Sequence, residues 1–352
     1  MPFEVFMERC LYDSVHGYYA APGRPVGRTG DFQTSVSVGS VFGELIARWA
    51  ADSWAALGRP ATVALVEQGA HDGQLMADVL VAIGQSENLD FRRAVRPTII
   101  EPLATRRESQ RATIAATGIT AADGGSLADV AWSRTPEELE GHDASSILFF
   151  ANELLDAFPV ARWRFDGSGW HRVLVGLDGA GGLTWVTERA EGFRLPGWPQ
   201  GVAANWPAGY ETETCPGVAG WIEALGRAMP RGGRALIFDY GRGAEDYYAP
   251  HRTSGTLRGY WHHRRWDDPL AAPGETDLTA DVNFSQLAEI AKQAGFLCRG
   301  PERQGAFLTQ LAVPRLLATP RPDAAWQRQF HTLTHPNHLG HAFQAVVLER
   351  AG

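Results

Sequence analysis

The stretch Val66–Leu80, VEQGAHDGQLMADVL, decides the fold. The apolar, β-branched run Thr62–Val66 leads into it, and Leu75, Met76, Val79, Leu80 and Ile83 follow at helical spacing, with Asp72 placed to cap the helix. The pattern predicts a strand ending at Glu67, a tight turn bracketed by Gly69 and Gly73, and a helix. In an open α/β sheet such a first crossover sets backbone N–H groups and a helix N-terminus at the carboxyl edge of the strands, where ligands sit. An acidic residue followed by spaced glycines suits a nucleotide-like ligand, because glycine lets the backbone approach closely and a carboxylate takes hydrogen bonds from hydroxyls or an ammonium. His71 stands where another glycine is expected, so an ordinary strand-to-helix turn remains open at this point.

Downstream, Thr98–Ile100 predicts a short strand closed by Glu101, ahead of a helix over Arg106–Ala116. A carboxylate there is where a ribose diol is held in dinucleotide-type folds. It lies farther from Glu67 than the usual separation of roughly 20 residues, and Gly84–Arg93 reads as the extra loop responsible. Ser146–Phe150 is a continuous apolar strand of the buried kind, with Asn152, Glu153 and Asp156 just beyond it. Polar residues off such a strand face the same cleft as the glycine turn, which makes Asn152 and Glu153 candidates for the reacting end; capping the next segment is the plainer alternative.

Val160–Glu188 changes character, with aromatic and β-branched residues in short runs separated by Asp166-Gly167 and Asp178-Gly179, both hairpin signals. It reads as a β-meander whose aromatics form its own small core. A helix after Pro216, stopped by Gly232-Gly233, leads to a buried strand over Ala235–Phe238. The polar stretch Gly255–Asp281, which holds His263, reads as a long loop of the kind that forms functional lids. Asn283 and Gln286 resemble a capping box, and Phe343–Leu348 a last strand. His331, His335, His338 and His341 invite a metal reading, but Pro336 and Gly340 interrupt the helix and no Cys or carboxylate joins them, so no metal is expected. A Ser-centred nucleophile elbow and a P-loop are both missing from the sequence.

Upstream, Phe3–Leu11 has helical spacing, Tyr12–Arg28 is rich in Gly, Pro and Tyr, and Gly30, Asp31 and Phe32 lie in a polar loop ahead of a helix through Val41, Leu45 and Trp49. The 352 residues, 44% hydrophobic and 20% charged, describe a globular chain with ample core material. A net charge of −8 argues against a general nucleic-acid binder. Cys10, Cys215 and Cys298 are far apart and indicate neither a disulfide framework nor a zinc site. The N-terminus carries Glu4 and Glu8 and lacks a basic segment followed by an apolar one, and no apolar run approaches membrane-spanning length. The expectation is a cytoplasmic protein without membrane contact.

Several stretches in order carry a family resemblance: FMERCLYDSVHGYYA (6–20), VGRTGDFQTSVSVGSVFGELIARW (26–49), VEQGAHDGQLMADVL (66–80), IIEP (99–102), ANELLDAFPV (151–160), IFDYG (237–241), GTLRGY (255–260) and DDPLAAPGETDLTADVNF (267–284). Together they resemble the MidA-like S-adenosylmethionine-dependent methyltransferases, which include the mitochondrial complex I assembly arginine methyltransferase. The resemblance implies an α/β fold, a Rossmann-like class I methyltransferase sheet with an antiparallel final strand and a β-rich insertion. It implies an N-terminal extension over residues 1–60 closing over the cofactor, a core in two parts, 61–159 and 211–352, an insertion at 160–210, and an active-site loop at 255–281. It further implies that Gly30, Asp31 and Phe32 help enclose S-adenosylmethionine, that Glu67 and Gly69 line its methionine end, that Glu101 holds the ribose, and that Asn152 and Glu153 lie beside the transferred methyl. The family usually reads Glu-Leu-Gly-Pro-Gly-Arg-Gly where this chain has Glu67-Gln68-Gly69-Ala70-His71-Asp72-Gly73. His71 therefore brings a Cβ and an imidazole to the cofactor turn.

Methyl transfer is the leading expectation. A protein arginine as acceptor would need carboxylates to orient it, Glu153 with Asp156; a small-metabolite hydroxyl or carboxyl would need a base, for which His263 is the candidate. A cofactor-binding scaffold without turnover is the alternative that His71 raises. A nicotinamide dehydrogenase is disfavoured because the turn lacks G-x-G-x-x-G. The β-insertion offers a contact surface for a homodimer.

Overall fold

The apolar run at Val66 forms strand β1, Val63–Gln68, with Val63 through Glu67 all buried. A strand covered on both faces belongs inside a parallel sheet, and β1 pairs in parallel with β2, Val95–Ile100, and with β4, Ile147–Asn152. The structure, a computed structural model, describes residues 1–20, 34–119, 127, 129–140, 144, 146–198, 205–261, 264–266 and 268–352. The chain divides into two compact units, Met1–Phe32 with Leu155–Gly220 and Tyr240–Ile290, and Gln33–Leu154 with Trp221–Asp239 and Ala291–Gly352.

The second unit holds the central sheet. Beside β1, β2 and β4 it contains β3, Ala131–Ser133, most of β9, Gly233–Arg242, and the terminal pair β14, Leu297–Arg303, and β15, Phe343–Arg350, in the spatial order β14-β15-β9-β4-β1-β2-β3. β2 with β3 and β4 with β9 are parallel, and β14 with β15 antiparallel. Crossover helices cover this sheet: α2, Val41–Ala56, and α3, Gln74–Gly84, lie so close that a Cβ on Gly43 would fall 2.5 Å from the Asp78 Cβ. The core packs Phe42, Leu65, Leu80, Leu148, Phe150, Leu236 and Phe238, with the Phe42 and Phe238 rings edge to face at 5.2 Å.

Local structure departs from expectation at three places in this unit. β1 runs on through Glu67 to Gln68, because both neighbouring strands still offer ladder partners there, Ile100 and Ala151. The residue capping α3 is Gly73, at φ +85°, and Asp72 caps from one position earlier by accepting the Gln74 N–H at 3.1 Å. The expected loop Gly84–Arg93 contains a helix, α4, Leu89–Ala94, started by Asn88 Oδ1 accepting from Phe91 N at 3.1 Å.

The first unit carries antiparallel sheets. β5, Ala161–Phe165, β6, Trp170–Leu177, β7, Leu183–Arg189, and β8, Tyr210–Thr214, form one in the order β7-β6-β5-β8. Both expected hairpin turns are present: Asp166 Oδ1 accepts from Ser168 N and Gly169 N, and Asp178 Oδ1 from Ala180 N and Gly182 N. Trp170, Tyr210, Tyr247 and Tyr248 form a buried aromatic cluster, with Trp163 and Phe193 stacked at 3.5 Å beside it. A second cluster seats helix α1, Phe3–Tyr12, through Phe3, Phe6, Met7 and Leu11 against Val160, Val175 and Leu278. The stretch expected as a loop over 255–281 contains β10, Arg258–Trp261, β11, Arg264–Trp266, and β12, Asp277–Thr279, paired in the order β11-β10-β12. β13, Val282–Asn283, pairs with the last residues of β9, Gly241 and Arg242, and Asn283 Oδ1 caps the following helix by accepting from Gln286 N at 3.1 Å. No helix among the described residues is long and apolar enough to cross a membrane.

Candidate active site

Parallel strands in register end side by side, and that alone gathers most of the expected residues of the second unit. Gln68 is level with Ile100 on one side and Ala151 on the other. The next residues, Glu101, Gly69 and Asn152, therefore stand in a row across three neighbouring strands, a span of roughly 10 Å at the usual strand spacing. Gly69, at φ +82°, approaches β4 closely; a Cβ there would lie 3.4 Å from Leu154 Cδ1 and 4.0 Å from the Asn152 carbonyl oxygen. Gln68 is held by Trp221, whose indole Nε1 donates to its Oε1 at 2.9 Å.

Glu67 is 2% exposed and its Oε2 is buried without a hydrogen-bond partner. Burial raises its pKa to about 8, with Asp72 and Asp78 adding to the effect and the Met76 N–H opposing it. A buried carboxyl oxygen without a partner can accept from a cationic or hydroxyl-bearing ligand. Glu101 is also buried; desolvation raises its pKa, opposed by the Leu103 N–H, Gln110, Arg106 and Arg107. Its Oε1 accepts from Leu103 N at 2.9 Å and its Oε2 from Gln110 Nε2 at 3.0 Å, which leaves a lone pair on each oxygen for a further donor.

Asn152 closes β4 and Glu153 follows it at φ +52°, a left-handed backbone uncommon for a residue with a side chain. Glu153 N donates to Phe238 O at 2.9 Å, and Asn152 Nδ2 donates to Glu153 Oε1 at 2.9 Å, while Asn152 Oδ1 is buried without a partner. Strained backbone concentrates where function over-determines geometry. His71 is the second such residue of this unit's strand ends, at φ +47°, with its Nδ1 3.8 Å from Asp72 Oδ1 and its Nε2 buried without a partner. The left-handed region costs a side-chain-bearing residue about 1–2 kcal/mol, partly offset by the greater unfolded-state entropy of glycine. His71→Gly is accordingly expected to raise stability by up to about 1 kcal/mol in urea titration, with no loss of cofactor affinity by calorimetry. A loss of that affinity would make the imidazole a true ligand.

Asp156 belongs to the first unit, where it accepts the Tyr240 hydroxyl and its carbonyl takes the Ala280 N–H at 2.9 Å. Burial raises its pKa to about 6 against the opposing pull of Tyr240 and Arg258. Gly30, Asp31, Phe32 and His263 lie outside the described residues. The rings of His331, His335 and His338 cluster with centroids 4.5 to 5.7 Å apart, yet among the described residues no group of three side chains is placed to hold a metal. Sequence reasoning missed Gln110, a fully buried polar residue on α5, Ala104–Ala115. The one available signal was its position a helical turn before Ile114, the other buried residue of that helix.

The strand order and the glycine turn are those of a nucleotide-binding α/β sheet, and residues 45–302 match the family model of S-adenosyl-L-methionine-dependent methyltransferases. The chain belongs to this methyltransferase family. It is 28% identical to the Mus musculus mitochondrial protein arginine methyltransferase NDUFAF7, over 97% of this chain and 79% of that protein. It is 29% identical to the Drosophila melanogaster homologue, over 99% and 81%. A likely methyl transferase from Burkholderia thailandensis, solved with S-adenosyl-homocysteine bound, superposes with a TM-score of 0.82 at 28% identity, over 99% of this chain and 88% of that one. The methyltransferase is S-adenosylmethionine-dependent, and the expected family and α/β fold class hold. The cytoplasmic expectation is corrected: these curated relatives are mitochondrial by name. Composition and the lack of an apolar span describe how a chain folds in water, and a folded α/β protein has the same chemistry in either aqueous compartment.

Proposed function

We propose that this methyltransferase acts on an arginine side chain of a protein, with S-adenosylmethionine laid across the ends of β2, β1 and β4. The observation that carries the reading is Glu153, a carboxylate in left-handed backbone directly beyond a buried strand, with one oxygen held by Asn152. The names of the mammalian and insect relatives support it.

When bound, the cofactor supplies a methyl group already activated by its sulfonium. The chain's own residues position and hold charge. Glu101 takes the ribose diol on its two remaining lone pairs, Gly69 lets the turn approach the methionine end, and Glu67 offers its unsatisfied oxygen to the α-ammonium. Glu153 accepts hydrogen bonds from the guanidinium, which stays protonated in water, and turns one nitrogen toward the methyl carbon. The N–C bond would form as the S–C bond breaks, with S-adenosylhomocysteine as the leaving group, and the proton shed by the methylated nitrogen would pass by way of the Glu153 carboxylate to water.

Loss of charge-assisted hydrogen bonds in Glu101→Ala is expected to weaken S-adenosylmethionine binding by about 1.5–3 kcal/mol; unchanged affinity in calorimetry would remove the ribose assignment. The acceptor is tested by incubating labelled S-adenosylmethionine with lysate from a strain lacking the protein, with and without the purified enzyme. Label in the protein fraction, recovered as methylarginine after hydrolysis, is expected. Label confined to small molecules overturns the arginine reading.

A further inference from the structure

α5 is polar over most of its surface, yet it sends one uncharged polar side chain, Gln110, fully into the protein interior. All of that amide's hydrogens are used there. Nε2 donates to Glu101 Oε2 at 3.0 Å and to the His71 carbonyl at 3.1 Å, while Oε1 accepts from Trp132 Nε1 at 2.9 Å. This orientation has no alternative: an indole N–H only donates, and an ionised carboxylate and a carbonyl only accept, so a flipped amide would set like against like at all three contacts. Arg111 lies over the Trp132 ring at 4.4 Å from its centroid, which steadies the anchoring indole. The glycine turn is shaped to reach this amide. A Cβ on Gly73 would come within 3.1 Å of Gln110 Cα, and the residue's φ of +85° independently favours glycine.

Gln110 thereby joins three strand ends that are far apart in sequence: Trp132 on β3, Glu101 after β2, and the turn after β1. We infer that Gln110 is a positioning residue for cofactor recognition, which holds the Glu101 carboxylate in the rotamer that presents both oxygens to the ribose hydroxyls and ties that carboxylate to the turn at His71. The inference rests on the proposal that Glu101 binds the ribose. With the Gln110 donor removed, Glu101 Oε2 loses its side-chain hydrogen bond and the carboxylate is free to turn out of register with a diol. The chain would then still bind the remainder of the cofactor but no longer discriminate its 2′-hydroxyl.

The test compares S-adenosylhomocysteine with its 2′-deoxy analogue by calorimetry on the full chain. Gln110→Met keeps the length and helix preference of the side chain and removes the donor. In this variant affinity for S-adenosylhomocysteine is expected to fall roughly 10- to 100-fold, affinity for the deoxy analogue, which keeps one hydroxyl, to fall by a clearly smaller factor, and KM for S-adenosylmethionine to rise with kcat unchanged at saturation. Trp132→Phe, which leaves a ring beneath Arg111 and removes the indole donor, is expected to shift the same ratio in the same direction by less, and serves if Gln110→Met folds poorly. Glu101→Ala should abolish the ribo-over-deoxy preference outright; if it does not, the ribose reading itself falls. If Glu101→Ala abolishes the preference while Gln110→Met and Trp132→Phe retain it, or if they weaken both ligands equally, Gln110 is only a packing residue and the inference is overturned.

Discussion

Glu153→Gln is expected to lower kcat by about 100-fold or more, equivalent to about 2.7 kcal/mol, with S-adenosylmethionine affinity nearly intact. The substitution keeps shape and removes charge. A carboxylate that holds a guanidinium while one nitrogen attacks interacts more strongly with the transition state than with the ground state, so its loss falls on kcat. The rigid support is on hand: the backbone at Glu153 is pinned to β9 through Phe238, and Asn152 fixes one oxygen. The measurement is single-turnover methylation beside cofactor titration for the wild type, Glu153→Gln and His263→Ala. Normal turnover in Glu153→Gln, with His263→Ala inactive, would point instead to base-assisted methylation of a hydroxyl or carboxyl.

The cofactor-free protein should lose stability as pH rises from about 4.5 to about 8, and Glu67→Gln should remove the share of that slope that Glu67 contributes beside Asp156 and Glu101. Burial raises the Glu67 pKa from its ordinary value of 4.5 to about 8, with Asp72 adding to the shift and the Met76 N–H opposing it. Between those values the folded state binds a proton that the unfolded state has released, so stability falls as pH increases and levels off above the folded pKa. At one pKa unit per about 1.4 kcal/mol, the full span corresponds to an upper limit of roughly 5 kcal/mol. A glutamine retains an acceptor for the Met76 N–H and cannot ionise. Urea unfolding of both proteins at several pH values is the check: the curves should converge near pH 4 and diverge toward pH 8 in favour of the variant. Parallel curves would mean that Glu67 ionises freely inside the fold. Saturating cofactor should narrow the gap, because an ammonium beside Glu67 stabilises its charged form.

The sequence by itself determined the central strands of the sheet. β1, β2, β4 and β9 are apolar runs buried on both faces, a composition that only a covered parallel sheet accommodates, and the glycine turn after β1 follows from the need for positive φ at Gly69 and Gly73. Ordered motif blocks then led to the methyltransferase family and to Glu67, Glu101, Asn152 and Glu153, since residues just past strand ends reach the cleft edge wherever the sheet is parallel. The hairpins at Asp166 and Asp178 were equally legible, because a turn's hydrogen bonds are made within a few residues.

What the tertiary structure decided depends on partners distant in the chain. β10 and β12 are three or four residues long and polar in part, and they exist because Gly259 meets Leu278 across an intervening segment, a pairing without local periodicity. α4 is too short for its apolar spacing to register. Gln110 reads as one more polar residue on a polar helix until Trp132, Glu101 and the His71 carbonyl close around it. The left-handed backbone of His71 and Glu153 is likewise imposed from outside, since neither residue prefers it, and only contacts such as the Glu153 N–H to Phe238 and the Gln110 amide to His71 hold the chain there.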